Sequence, residues 1–149
     1  MPENKEKELL RRWMALWAEI DKTYIGFLKR WDLSLNAYWV IEYLHNHPQG
    51  AEPAELADRI NVMRQLITII LNDLEKRGFL LRRESEQDHR RRIIQLSPAG
   101  ETFAREVCDA MEQFDLESLS AFTPAERERL VDDSRRFCDA LKAAAARRA

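Results

Sequence analysis

Cysteine is nearly absent from this chain, and its two copies, Cys108 and Cys138, form no spaced cluster. A structural disulfide or a cysteine-rich metal module is therefore not expected to hold the fold together. Glycine and proline are also scarce, with four and five copies, which leaves little material for turns. Together with abundant Leu, Ala, Glu and Arg, this argues for long helices and against an all-β sandwich. No apolar run approaches the ~20 residues that a membrane span requires. The first residues, MPENKEKELLRRW, are charged where a secretory leader needs an apolar core, so the expected location is the cytoplasm, with no membrane partner. Neither sign of charge dominates: 24 Lys and Arg face 26 Asp and Glu. That balance excludes a general polycation coating nucleic acid, although a local basic patch remains open. The 149 residues are long enough for one compact domain with its own core, burying roughly 68–70% of the unfolded surface.

What is present is helical periodicity. Leu9, Trp13, Leu16, Trp17, Ile20, Tyr24, Phe27 and Trp31 recur at steps of three and four, which predicts a long amphipathic helix over about residues 4–31 with an aromatic face. Ser34 can cap a second helix running to about His45, and His47-Pro48-Gln49-Gly50 breaks it. Pro53 suits the first turn of a short third helix from Glu52 to Arg59, with Leu56 and Ile60 pointing inward. After the tight connection Asn61-Val62, a fourth helix is predicted from Arg64 to Arg77, with Ile67, Ile70, Leu71 and Leu74 buried and Gly78 as its left-handed stop.

The period then changes. Phe79 to Arg83 and Arg92 to Leu96 are short β-compatible runs around a charged tip from Glu84 to Arg91, which describes a hairpin. Ser97-Pro98 opens a further helix to about Ser120, carrying Phe103, Val107, Ala110, Met111 and Phe114. Thr123-Pro124-Ala125-Glu126 is a capping box for a last helix on which Leu130, Phe137 and Leu141 share a face. The fold class is thus mainly α with one small β-hairpin.

Charge is distributed unevenly over these elements. From Arg64 to Leu96 there are eight basic residues and five acidic ones, so the segment carries +3 and the remainder of the chain −5. Basic residues gathered on one helix and one hairpin tip have the footprint of a phosphate-binding edge. Arg64, Gln65, Thr68 and Asn72 lie away from the apolar face of the fourth helix and have the reach and polarity to meet base edges in a major groove. A solvated, mixed-charge helix face and turn is the alternative reading of the same residues.

The stretch Leu33 to Gly100 resembles the winged helix-turn-helix of the MarR family of bacterial transcription regulators. The motifs that carry the resemblance are Leu33-Ser34, Pro53-Ala54-Glu55-Leu56-Ala57 followed by Ile60-Asn61-Val62, Leu74-Glu75-Lys76-Arg77-Gly78-Phe79-Leu80, Asp88-His89-Arg90, and Leu96-Ser97-Pro98-Ala99-Gly100. The resemblance implies a DNA-binding lobe over residues 33–97 and dimerisation helices over 4–31 and 98–147. It implies a homodimer reading a pseudo-palindromic operator in double-stranded DNA, with the fourth helix in the major groove and the hairpin wing at an adjacent minor groove. Carried over to this chain, Arg90 takes the place of the wing arginine that enters the minor groove, and Asp88 that of the carboxylate steering its guanidinium. A narrow minor groove concentrates negative potential, which suits that pairing. Arg91 and Arg92 extend the charge, and His89 is read as a phosphate contact. Arg82 and Arg83 serve either as phosphate contacts or as partners of Glu84 and Glu86.

The chain departs from the family's pattern at Met63, Leu66 and Ile69, where small polar residues are common. Leu66 is expected to pack inward, and Ile69 is left between packing and contact with thymine methyl groups.

Regulators of this kind often respond to small aromatic compounds, and Trp17, Tyr24, Trp31 and Tyr38 are the candidate lining of such a site, with dimer core as the alternative. Cys108 and Cys138 read as small buried hydrophobes, with a reactive thiolate beside Arg105 or Arg135, each three residues away, as the alternative. His45 and His47 are poorly spaced for one ion, so no metal is expected, nor any other cofactor. No phosphate loop, nucleophile arrangement or zincin motif is present, so an enzyme is not expected. The competing function is a dimeric protein-interaction module that docks a partner through the apolar Met63, Leu66 and Ile69 patch.

Overall fold

The structure, a computed structural model, describes residues 2–148. Its elements are α1 (Pro2–Leu28), a 3-10 turn (Lys29–Trp31), α2 (Leu35–Asn46), α3 (Pro53–Ile60), α4 (Arg64–Lys76), β1 (Leu80–Glu84), β2 (Arg92–Leu96), α5 (Pro98–Leu119) and α6 (Pro124–Ala146). By its contacts the chain divides into two compact units, with the boundary between Cys108 and Asp109.

The first unit owes its helix boundaries to local chemistry. The Ser34 hydroxyl accepts from the Ala37 N–H at 3.1 Å and starts α2. α3 ends at Asn61, whose left-handed backbone (φ 56°) lets its N–H return to Ala57 and Asp58. Gly78, at φ 82°, stops α4 as a left-handed residue should. The core is aliphatic: Leu28, Val40, Ile41, Leu44, Leu56, Ile67, Leu71, Leu74 and Ile94 are essentially inaccessible to solvent. Each contributes about 1.5–3 kcal/mol by leaving water, so this cluster, rather than any polar contact, fixes how α2, α3 and α4 pack.

β1 and β2 pair antiparallel from Leu80 opposite Leu96 to Glu84 opposite Arg92. A single bridge between Ala51 and Ile94, with N–H to carbonyl distances of 3.0 and 2.8 Å, ties the segment before α3 to the hairpin. The start of α5 is locked to the Gly78-Phe79 segment just before β1 through Ser97. Its hydroxyl accepts from the Gly100 N–H at 2.9 Å and donates to the Gly78 carbonyl at 2.5 Å. Phe79 stacks on Phe103 at 4.1 Å between ring centroids.

In the second unit, α6 begins with a complete capping box in which Thr123 and Glu126 satisfy each other's backbone N–H groups. Arg127 closes the turn by donating from Nε to the Leu119 carbonyl at 2.9 Å. Leu130 and Leu141, which share a face as the sequence predicts, are exposed, as are Leu116, Phe122 and Val131. No described helix is long and apolar enough to cross a membrane.

Candidate nucleic-acid interface

α4 is oriented by its buried residues. Ile67, Ile70, Leu71 and Leu74 face the core, so at 3.6 residues per turn Gln65, Ile69 and Lys76 stand on the opposite, solvent side. Arg64, Thr68, Asn72 and Glu75 form the flank between these two faces. Part of that flank is already engaged with the hairpin. Arg82 on β1 pairs through Nε with Glu75, and its Nη2 donates to Asn72 Oδ1 at 2.9 Å. Thr68 donates its hydroxyl back to the Arg64 carbonyl at 2.9 Å, leaving the oxygen lone pairs outward. Arg64 and Gln65 are exposed and have no side-chain partner among the described residues.

Several charges of the hairpin tip are already paired. Arg91 presents Nε and Nη2 to the two carboxylate oxygens of Glu52, just before α3, at 2.7 and 2.8 Å. Glu84 takes both Arg92 (3.3 Å) and His89 (3.2 Å). Among the described residues Arg83 pairs with no carboxylate side chain: it donates to Gln95 Oε1 at 2.9 Å, to the Gln49 carbonyl at 3.0 Å and to the Glu84 main-chain carbonyl at 3.4 Å. Of the two readings open for Arg82 and Arg83, an ion pair with Glu84 or Glu86 is therefore formed by neither, and Arg83 meets Glu84 only through its backbone. Asp88 also departs from expectation. Its Oδ1 accepts the backbone N–H of Arg90 at 3.0 Å, a turn-closing bond over two residues, rather than steering the guanidinium. The Arg90 guanidinium therefore projects without a partner among the described residues. Between the flank of α4 and the hairpin lies an open cleft of about 470 Å³ that brings together Glu52, Arg64, Thr68, Arg90, Arg91 and Arg92.

A family model described as the MarR family matches residues 31–91, from the end of the 3-10 turn to the wing. Over 101 residues the chain is 33% identical to the transcriptional repressor MprA of Escherichia coli, a match covering 68% of this chain and 56% of that one. The chain belongs to the MarR family. It spans little more than half the length of the curated relatives it matches. The backbone of Streptococcus pneumoniae FabT, solved in complex with DNA, superposes with a TM-score of 0.77 at 18% identity, covering 91% of this chain and 96% of that one. PcaV of Streptomyces coelicolor, solved with its natural ligand, gives 0.70 at 21% identity over 85% and 91%. These likenesses show the MarR winged-helix fold: α3 and α4 are its helix-turn-helix, and β1 and β2 its wing.

The apolar departures of this MarR chain sit on the outside of α4. Met63 is 71% exposed, Ile69 65% and Leu66 38%. Leu66 therefore does not complete the core, which α4 reaches through Ile67, Ile70, Leu71 and Leu74.

The four aromatic candidates occupy unlike environments: Trp17 is 47% exposed, Tyr38 is 7% exposed and ring-packed on Trp39 at 5.1 Å, and Tyr24 and Trp31 are half-buried. Trp31 donates its indole N–H to Glu106 at 3.0 Å. A cavity of about 490 Å³ along α1, lined by Leu9, Leu10, Trp13 and Leu16 among others, contains none of the four.

Cys138 is exposed and Cys108 half-buried, which corrects the reading of both as buried hydrophobes. His45 is held by Glu101 at 3.1 Å, whereas His47 stacks on Tyr43 at 3.9 Å. Among the described residues no group of three metal-ligating side chains converges.

Two residues of this interface, Glu52 and Gln95, were not singled out by sequence reasoning. Glu52 carried one usable signal: it precedes a first-turn proline at a position where Ser, Thr, Asp or Asn would cap, and its side chain makes no cap bond.

Proposed function

We propose that this chain is a sequence-specific DNA-binding transcriptional regulator that works as a homodimeric repressor and is released by a small aromatic ligand. The observation that carries the reading is the edge formed by α4 and the wing, where exposed Gln65 and Thr68 lie beside the unpaired guanidinium groups of Arg64 and Arg90. Neutral hydrogen-bonding side chains suit base edges, and unpaired cations suit the phosphates on either side. That MprA is a repressor, and that FabT was solved with DNA, support the same reading for this chain.

Homodimerisation is supported by exposed apolar residues on α1, among them Leu9, Leu16, Trp17 and Ile20, which a second copy would cover. The aromatic effector is supported by the half-buried Tyr24 and Trp31 near the end of α1, and by the ligand-bound state of PcaV. In this scheme the ligand alters the separation of the two α4 helices, and a dimer with the wrong half-site spacing loses affinity. The reading includes no catalytic step.

A second reading rests on the exposed Met63, Leu66 and Ile69: a winged-helix module that docks a protein partner through this patch. One titration separates the two. Polarisation of a labelled duplex from the chain's own upstream region, against a scrambled duplex at two salt concentrations, should show tight and salt-sensitive preference for the upstream DNA. Equal weak binding to both duplexes would move the assignment to the protein-docking reading, whose contact survives high salt.

A further inference from the structure

Four guanidinium groups and one carboxylate meet at the cleft between α4 and the wing. The carboxylate belongs to Glu52, and it engages Arg91 through two parallel contacts of 2.7 and 2.8 Å. A phosphate offers an arginine the same pair of oxygens in the same fork, so Glu52 presents to Arg91 what a DNA backbone phosphate would present. Its location makes this arrangement deliberate rather than incidental to helix capping. Glu52 precedes α3 with extended backbone, yet its side chain bonds none of the free N–H groups of that helix. The main chain of Arg91 is equally fixed, because its carbonyl accepts from Ser85 and its N–H donates to Asp88, both at 3.0 Å. The pair therefore joins two segments whose main chains are anchored.

We propose that Glu52 acts as an internal phosphate mimic that withholds Arg91 from the DNA backbone, lowering affinity for DNA of arbitrary sequence and leaving Arg64 and Arg90 as the cleft's working cations. The proposal rests on the DNA-binding reading above. It makes Glu52 a specificity-setting residue: non-specific affinity is almost wholly electrostatic, so one cation withheld weakens it more than it weakens binding that also uses base contacts.

The test measures binding of a scrambled-sequence duplex by polarisation across a salt series, for the full chain and for Glu52→Gln. The variant should bind several-fold more tightly at low salt. Its log–log salt dependence should be steeper by about 0.9 for each protomer bound, the value expected when one more phosphate is neutralised. Glu86→Gln removes the same charge from an unpaired wing residue and separates pairing from net charge; it should tighten binding less and leave the slope unchanged. In an Arg91→Gln background, Glu52→Gln should produce no gain.

Thermal melting of each variant shows whether the fold is intact. Unchanged or weaker binding by folded Glu52→Gln, or a gain that persists without Arg91, overturns the proposal while leaving the DNA-binding reading in place. Failure of every variant and of the parent to bind any duplex at low salt overturns both.

Discussion

The guanidinium of Arg77, at the end of α4, reaches back 45 residues to donate to the main-chain carbonyl of Asp32 at 2.8 Å. Its other terminal nitrogen donates to the Trp31 carbonyl at 2.7 Å, and its carbon stands 5.2 Å from the Phe79 ring centroid and 5.5 Å from that of Phe103. Asp32 holds a left-handed backbone (φ 51°) without being glycine, in the turn that closes the 3-10 segment after α1. One half-buried side chain thus fastens the end of α4 to the turn that follows the long N-terminal helix. Arg77→Ala should lower stability by about 2 kcal/mol in urea unfolding, because two carbonyls lose a charged donor and two rings lose a cation. Arg77→Lys should recover only part of this, since an ammonium cannot span both carbonyls as a planar fork does.

Gly100 lies against the backbone of Phe79, and a Cβ there would stand 2.0 Å from the Phe79 carbonyl oxygen. That oxygen also accepts from the Ser97 N–H at 2.9 Å, so it cannot move aside freely. Alanine usually favours a helix over glycine by roughly 1 kcal/mol, but here the steric cost is larger. Gly100→Ala should destabilise the protein by a net ~1–3 kcal/mol, visible as a lowered melting temperature. A rise in melting temperature would show that α5 can shift off β1 at little cost.

Arg90→Ala should weaken binding to the upstream duplex roughly tenfold, or about 1.4 kcal/mol, by removing an unpaired wing cation. The loss should be largest on duplexes with A·T-rich flanks, whose narrow minor groove concentrates negative potential. Titration of two duplexes differing only in those flanks checks this, and equal losses on both would remove Arg90 from the minor groove.

Ile69 stands at the centre of the outward face of α4, between Gln65 and Asn72 on the adjoining turns. Contact with a thymine methyl group predicts that replacing operator thymines with deoxyuridine weakens binding about fourfold, the equivalent of one buried carbon at ~0.8 kcal/mol. Ile69→Ala should be insensitive to the same replacement. Equal affinity of the unaltered protein for both duplexes would assign the Ile69 side chain to another partner.

Most local features were legible in the sequence. The buried stripe Ile67, Ile70, Leu71 and Leu74, the Ser34 cap, the Thr123 capping box and the Gly78 stop all stand where periodicity and cap chemistry put them. The long first helix was legible except for its end, where three residues tighten into a 3-10 turn. Leu66 was misread because periodicity alone cannot say how wide a helix's buried face is. Asp88 was misread because a short carboxylate two residues before a backbone N–H closes a turn more readily than it reaches an arginine tip.

The amino-acid sequence by itself determined the elements, their order and the concentration of positive charge on α4 and the wing, since each follows from neighbours within a few residues. Only the tertiary structure decided which of those charges are available. Glu52 neutralises Arg91 across 39 positions, Glu75 and Asn72 hold Arg82 against α4, and Gln49 and Gln95 hold Arg83. Pairing between distant segments depends on how an aliphatic core places them, and that placement is a property of packing rather than of local pattern.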